Sequence, residues 1–150
     1  MAHPPLHGLL DAWRTAEQRW DRSTNDADRA AAQQAVLEAW LAYNEASGSH
    51  GPDEIVLVVD ESMICVAATG PTDSVLGRSA SDLMGRTVFD LAAGEEQDRI
   101  GPAWEDLLRS GRLTGSLTLR GRDGSPVRTT FTARAHHPLP GLRVSRHRPR

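Results

Sequence analysis

Apolar residues recur every three or four positions along the first third of the chain, which is the period of an amphipathic helix. The first such segment, residues 6–22, ends before the N-cap candidates Ser23, Thr24 and Asn25 of a second helix that runs to about Ala46. The apolar positions of the two segments are Leu6, Leu9, Leu10, Trp13, Ala16 and Trp20, then Ala30, Leu37, Trp40, Leu41 and Tyr43. The pattern predicts an N-terminal helical hairpin, residues 1–50, followed by a separate domain, residues 51–150.

The pattern changes to apolar runs and alternation beyond the linker at 48–52. Residues 55–59 and 63–68 are runs rich in β-branched side chains, and the polar segment Asp60-Glu61-Ser62 between them predicts a β-hairpin. Short helical pieces follow, punctuated by Gly77 and Gly85. A longer helix is predicted over 95–109, and Pro102 indicates that it begins near Gly101 or is kinked there.

Three further strands are predicted in the last 40 residues. Leu113, Leu117 and Leu119 alternate with polar residues, as do the apolar positions of 127–135. The turn Arg122-Asp123-Gly124-Ser125 joins these two strands, and Leu142 and Val144 open the last one. One face of this sheet is predicted to be apolar, and the other to carry threonine and arginine.

Four segments in this order resemble motifs of the PAS family. They are Val58-Val59-Asp60, Ser74-Val75-Leu76-Gly77, Ser81-Asp82-Leu83-Met84-Gly85-Arg86-Thr87 and Arg122-Asp123-Gly124-Ser125. The resemblance covers residues 54–147 and implies an α+β fold, with a five-stranded antiparallel sheet and helices on one face. The chain departs from the family at Thr69, where asparagine is usual, and at Val144-Ser145-Arg146-His147, where many members have an Asp-Ile-Thr junction.

The resemblance also implies a pocket between the sheet and the helices. Its expected lining is Cys65, Leu83, Val88, Phe89, Trp104, Leu107, Leu108, Leu117 and Phe131. Two alternatives remain open at this point. The pocket holds a small, mostly apolar ligand, or these side chains fill the core and Trp104 occupies the space of a ligand.

The residue types of the chain count against the cofactors that PAS proteins are known to use. The Asn-Cys-Arg-Phe motif of flavin photosensors is absent, and Cys65 is predicted in a strand. Haem requires an axial ligand, for which His136 or His137 is the first candidate, and His147 is predicted in a terminal segment. We therefore expect no cofactor, with a haem-binding gas or redox sensor as the alternative.

Charge is distributed unevenly along the chain. Residues 111–150 carry nine arginines and one acid, Asp123, whereas residues 1–110 carry 19 acids and 8 arginines. An arginine-covered sheet face is favoured over a nucleic-acid surface, since no recognition motif and no interleaved aromatic residues accompany the arginines. No nucleophile elbow, phosphate-binding glycine loop or metal-ligand spacing is present, so we expect no enzymatic activity.

The remaining expectations concern location and partners. With a single cysteine, no secretion signal and no apolar run long enough to span a membrane, a cytoplasmic protein is expected. The aromatic residues of the hairpin predict a homodimer interface or a cap on the sheet. They are Trp13, Trp20, Trp40 and Tyr43. Because no output domain follows, signalling is expected to pass through a separate protein partner.

Overall fold

The computed structural model of the chain describes residues 6–150. The chain divides into two compact units at Gly51/Pro52, an N-terminal helical unit and a C-terminal α+β unit.

The N-terminal unit contains two helices that pack against each other, α1 (Leu6–Asp21) and α2 (Asp26–Ala46). Asn25 is the N-cap of α2, because its side-chain oxygen accepts a hydrogen bond from the backbone N–H of Asp28 at 2.9 Å. The acidic side chains of Asp26 and Asp28 lie in the first turn, where the helix dipole favours negative charge.

The C-terminal unit is a five-stranded antiparallel sheet with helices between its second and third strands. Its elements are β1 (Ile55–Val59), β2 (Cys65–Thr69), α3 (Thr72–Leu76), α4 (Ala80–Leu83), α5 (Val88–Leu91), α6 (Gln97–Ser110), β3 (Arg112–Arg120), β4 (Pro126–Ala135) and β5 (Arg143–Pro149). The strand order is β2-β1-β5-β4-β3, so that the last strand of the chain is the middle strand of the sheet. The predicted fold class is confirmed.

Three element boundaries differ from those predicted. Strand β2 begins at Cys65 rather than Met63, because Met63 adopts a left-handed conformation (φ 65°) in the turn after β1. The last strand begins at Arg143 and includes His147, which the sequence placed in a terminal segment.

The third difference concerns the long helix. Helix α6 begins at Gln97 and continues through Pro102, so the prediction of a start near Gly101 is wrong. Proline removes only the hydrogen bond to the carbonyl of Asp98. Asp98 is exposed, so water can bond this carbonyl instead. The helix ends at Gly111, which has the left-handed conformation (φ 81°) that is typical of a helix C-terminus.

A cluster of apolar side chains fills the space between β1, β2 and the short helices. Its buried members are Ile55, Leu57, Val59, Cys65, Leu76, Leu83, Leu91 and Leu119. Side-chain caps begin two of the short helices, Ser79 at α4 and Thr87 at α5, where Thr87 and Asp90 form a reciprocal capping box. This packed half of the unit borders a more open half under α6, and Leu57, Val59, Leu91 and Leu119 belong to the border between them.

Candidate functional site

A cavity of about 440 Å³ lies between α6 and the inward face of β3, β4 and β5. This volume falls within the range of small-molecule sites in proteins. Helix α6 contributes Ile100, Trp104 and Leu107, and the sheet contributes Leu117 and Phe131. The cavity exists because small residues face α6 from the sheet, at Gly115 on β3 and Ala133 on β4.

Five of the residues expected to line a pocket are brought together on this cavity wall: Val88, Trp104, Leu107, Leu117 and Phe131. Trp104 forms part of the wall and leaves the cavity open.

The other four lie elsewhere. Cys65 and Leu83 are buried in the packed half, whereas Phe89 and Leu108 are 38% and 40% exposed and lie outside the cavity wall. Helical periodicity explains the exposure of Leu108. Consecutive residues of an α-helix are about 100° apart around its axis, so the residue after the inward-facing Leu107 lies off the cavity wall.

Cys65 is a core residue of low reactivity. Burial raises the pKa of its thiol to about 11, and the Sγ–H donates to the carbonyl of Ala67 at 3.4 Å. Because the thiolate is the reactive form, this cysteine offers the cavity neither a nucleophile nor a metal ligand.

The middle strand presents three polar side chains on the inward face of the sheet. Arg143, Ser145 and His147 alternate along β5 and all line the cavity. They pair in register with Val59, Leu57 and Ile55 of β1, whose side chains face the same core. An Arg-x-Ser-x-His alternation is typical of a solvent-facing strand, which is why the sequence did not indicate these residues.

Arg143 is 6% exposed, and its guanidinium lies 5.0 Å from the centre of the Trp104 ring. One side-chain hydrogen bond holds it, from Nη1 to the carbonyl of Gly141 at 2.7 Å. The buried Nε has no hydrogen-bond partner. Buried polar groups normally have partners, so this donor is an exception that a functional role would explain.

His147 is 2% exposed and takes part in a hydrogen-bonded chain. Thr129 donates its one hydroxyl proton to the carbonyl of Leu117 at 2.8 Å, so its oxygen accepts from Nδ1–H of His147 at 3.3 Å. Nε2 of the neutral imidazole is then an acceptor, to which the Ser145 hydroxyl donates at 2.9 Å. Burial lowers the pKa of His147 to about 4, which keeps the ring neutral at physiological pH.

The histidines proposed as haem ligands lie away from the cavity. His136 is exposed, and its Nδ1 accepts a hydrogen bond from the backbone N–H of Gly141 at 3.1 Å, within the connection between β4 and β5. His137 follows it in the same connection, and neither residue lines the cavity. The expectation that His136 or His137 would ligate a haem stays a prediction, and it would require a haem held outside this cavity wall. Of the described histidines, His147 is the one on the cavity wall, and both its ring nitrogens are engaged.

A family model described as "PAS fold" matches residues 49–142. The chain belongs to the PAS family. The match ends before β5, so Arg143, Ser145 and His147 all lie beyond it. No curated protein matches the chain.

Solved PAS domains have the same fold at low sequence identity. The chain is similar to a PAS domain from Colwellia psychrerythraea (TM-score 0.61, 13% identity, 73% of this chain and 97% of that one). It is also similar to the PAS domain, in complex with ethanol, of a LuxR-family transcriptional regulator from Burkholderia thailandensis (TM-score 0.57, 16% identity, 69% and 95%). A third is the Drosophila melanogaster Cycle PAS-B domain with bound ethylene glycol (TM-score 0.57, 11% identity, 64% and 99%).

The arginines of the PAS unit are divided between its surfaces. Arg143 faces inward, whereas Arg146 donates two hydrogen bonds, of 2.8 and 2.9 Å, to the buried carboxylate of Glu54. Arg148 is within 3.4 Å of the same carboxylate. The remaining strand arginines, among them Arg134, lie on the exposed face together with threonines, as the alternation predicted.

The aromatic residues of the helical unit differ in their contacts and in their exposure. The rings of Trp13 and Tyr43 lie 5.5 Å apart, and the guanidinium of Arg29 lies 4.0 Å from the Trp20 ring. These three aromatic residues are partly exposed, whereas Trp40 is buried. A buried Trp40 offers no surface to a second copy of the chain.

Two further site classes can be addressed for the described residues. Between residues 6 and 150, no three His, Cys, Asp or Glu side chains lie together as a metal ion would need. None of the helices in this part of the chain is both long and apolar enough to cross a membrane.

Proposed function

We propose that this PAS protein is a non-enzymatic sensory module in which a small ligand occupies the cavity beneath α6. The observation that carries the proposal is the cavity itself. A volume of about 440 Å³, bounded by α6 and the sheet, is large enough for a small molecule and lies in the size range of known small-molecule sites. Its wall combines apolar side chains with a few fixed polar groups, which is the usual composition of a ligand site.

The signal in this proposal is a change in the position or mobility of α6. This helix supplies one wall of the cavity, and Arg143 of β5 reaches it through Trp104. The similar structures include the PAS domain of a transcriptional regulator and a domain of a sensor histidine kinase, which supports a signalling role. We propose that a separate protein partner reads the state of α6.

Thermal unfolding of a cavity-filling variant tests the proposal. In Ala133→Phe, the new ring occupies space that is open in the parent, so stability should be unchanged or higher. Millimolar 2-phenylethanol should raise the Tm of the parent by mass action and leave that of Ala133→Phe unchanged. A parent that does not respond, together with a filled variant that loses stability as an overpacked core does, would contradict the proposal.

We also propose that the helical unit forms a homodimer through Trp13 and Tyr43. Their rings contact each other and are partly exposed, and large aromatic side chains are enriched at interfaces. Light scattering of the full chain should give twice the monomer mass, and Trp13→Ser with Tyr43→Ser should give the monomer. A monomeric parent would contradict this proposal and leave the ligand site untouched.

A further inference from the structure

The inward face of β5 holds a buried cation, Arg143, that forms no ion pair with any carboxylate of the described residues. Arg143 is more than nine-tenths buried and lines the cavity. Its side chain makes one hydrogen bond, to a neutral carbonyl, and its Nε is left without a partner. Burying an ionised group without a counter-charge is costly, so the absence of an acidic partner requires an explanation.

The acidic residues around the cavity are engaged elsewhere or lie in solvent. Glu96 is paired with Arg99 at 2.8 Å, and Asp106 is paired with Arg109. Asp98, on the first turn of α6, is exposed. On the opposite side, the exposed Glu61 lies beside Gly141. Among the described residues, no carboxylate is within ion-pairing distance of Arg143.

The neutral groups beside Arg143 provide no alternative donor for an anion. The hydroxyl proton of Ser145 is directed at His147, and the Nδ1 proton of His147 is directed at Thr129. Of the three polar side chains on the inward face of β5, the Arg143 guanidinium is therefore the one with unused hydrogen-bond donors. Trp104 stabilises its charge from one side, as aromatic faces do for cations, but does not satisfy those donors.

We infer that the cavity binds a small monocarboxylate with an apolar body, whose carboxylate pairs with Arg143. A planar guanidinium matches a carboxylate with two parallel hydrogen bonds. The body of the ligand then lies against the apolar wall of Leu107, Leu117 and Phe131. The rest of the wall offers no second unpaired cation, which favours one carboxylate over a phosphate or a dicarboxylate. This inference rests on the proposed function and specifies its ligand.

Calorimetry on the full chain with matched probes tests the inference. Phenylacetate, phenylacetamide and phenethylamine share one body and differ in charge, and hexanoate and hexanamide repeat the comparison with a linear body. Hydrogen bonds to charged groups predict that each carboxylate binds about tenfold to a hundredfold more tightly than its amide. The amine should bind more weakly than the amide.

Substitutions of Arg143 assign the preference to this residue. Arg143→Met should remove the difference between acid and amide, Arg143→Lys should retain part of it, and Arg134→Met on the exposed face should leave it unchanged. Thermal unfolding confirms that each variant is folded. Equal affinity of the parent for acids and amides would overturn this inference and leave the proposed function standing. If none of the five probes binds but 2-phenylethanol does, this inference alone is overturned, and if none of the six binds, the proposed function is contradicted as well. A preference that survives in Arg143→Met would overturn the role of Arg143.

Discussion

The guanidinium of Arg143 lies over the Trp104 ring at 5.0 Å and joins the middle strand of the sheet to helix α6 across the cavity. The contact links the charged group on β5 to the helix that forms the opposite wall. A ligand that pairs with Arg143 therefore binds the side chain that also contacts Trp104 of α6. Keeping the charge of Arg143 inside the protein costs free energy.

Arg143→Met should stabilise the protein when no ligand is present. The substitution removes a buried charge that has no counter-ion and keeps most of the side-chain volume, so we expect a gain of about 1 kcal/mol or more in the free energy of unfolding. A gain in stability on substitution is typical of positions where the native residue is retained for function. Urea unfolding measures it, with Arg134→Met as the surface control. A loss of more than about 1 kcal/mol would mean that Arg143 has a structural role.

His147 should make stability depend on pH in a defined window. Its pKa is about 4 in the folded protein and near 6.5 in the unfolded chain, so the unfolded chain binds more protons between these values. The free energy of unfolding should therefore fall as the pH decreases from 6.5 to 4, by about 3 kcal/mol from this group. Urea unfolding across this range should show a clearly shallower slope for His147→Gln. If the free energy of unfolding has the same pH dependence in the parent and in His147→Gln, then His147 is not buried as a neutral ring.

Cys65 should be unreactive while the protein is folded. Its pKa of about 11 and its burial leave almost no accessible thiolate at mildly alkaline pH. An aromatic disulfide reagent should modify it only after guanidinium unfolding, when the ordinary thiol pKa is restored. Rapid modification of the native protein would contradict the division of the PAS unit into a packed half and an open half.

The ion pair between Glu54 and Arg146 should contribute measurably to stability, because the carboxylate is buried and accepts two hydrogen bonds from one guanidinium. Glu54→Gln should cost about 1–3 kcal/mol. The adjacent Asp53→Asn is a matched control. Asp53 is 62% exposed and lies 3.7 Å from Arg148, so this change should cost no more than about 0.5 kcal/mol in urea unfolding. Equal effects of the two changes would contradict the assigned geometry.

The fold could be predicted from the sequence to a large extent because its local signals agree with each other. The cap at Asn25, the turn at Asp123-Gly124 and the stop at Gly111 are all local chemistry, and the structure has each of them. The expected start of the long helix near Gly101 was wrong for a physical reason. Proline costs only one hydrogen bond near the start of a helix, and water can bond the freed carbonyl of the exposed Asp98.

The site could be predicted only on its apolar side. Trp104 and Leu107 lie on the apolar side of a helical pattern, so the sequence indicates them. Arg143 and His147 belong to an alternation of polar residues in a strand, and such an alternation indicates exposure to solvent. Their burial follows from the strand order, which inserts β5 between β1 and β4. Such a long-range pairing cannot be inferred from a local pattern.

A titration of the uniformly ¹⁵N-labelled full chain with phenylacetate, followed by NMR, tests the central claim most directly. The indole N–H of Trp104 and the Nε–H of Arg143 report on the cavity, and the Trp20–Arg29 pair on the helical unit is an internal control of the same kind. We predict saturable shifts of the Trp104 and Arg143 signals, with those of Trp20 and Arg29 unchanged. Signals of Trp104 and Arg143 that do not move, or that move together with the control pair, would contradict the ligand site.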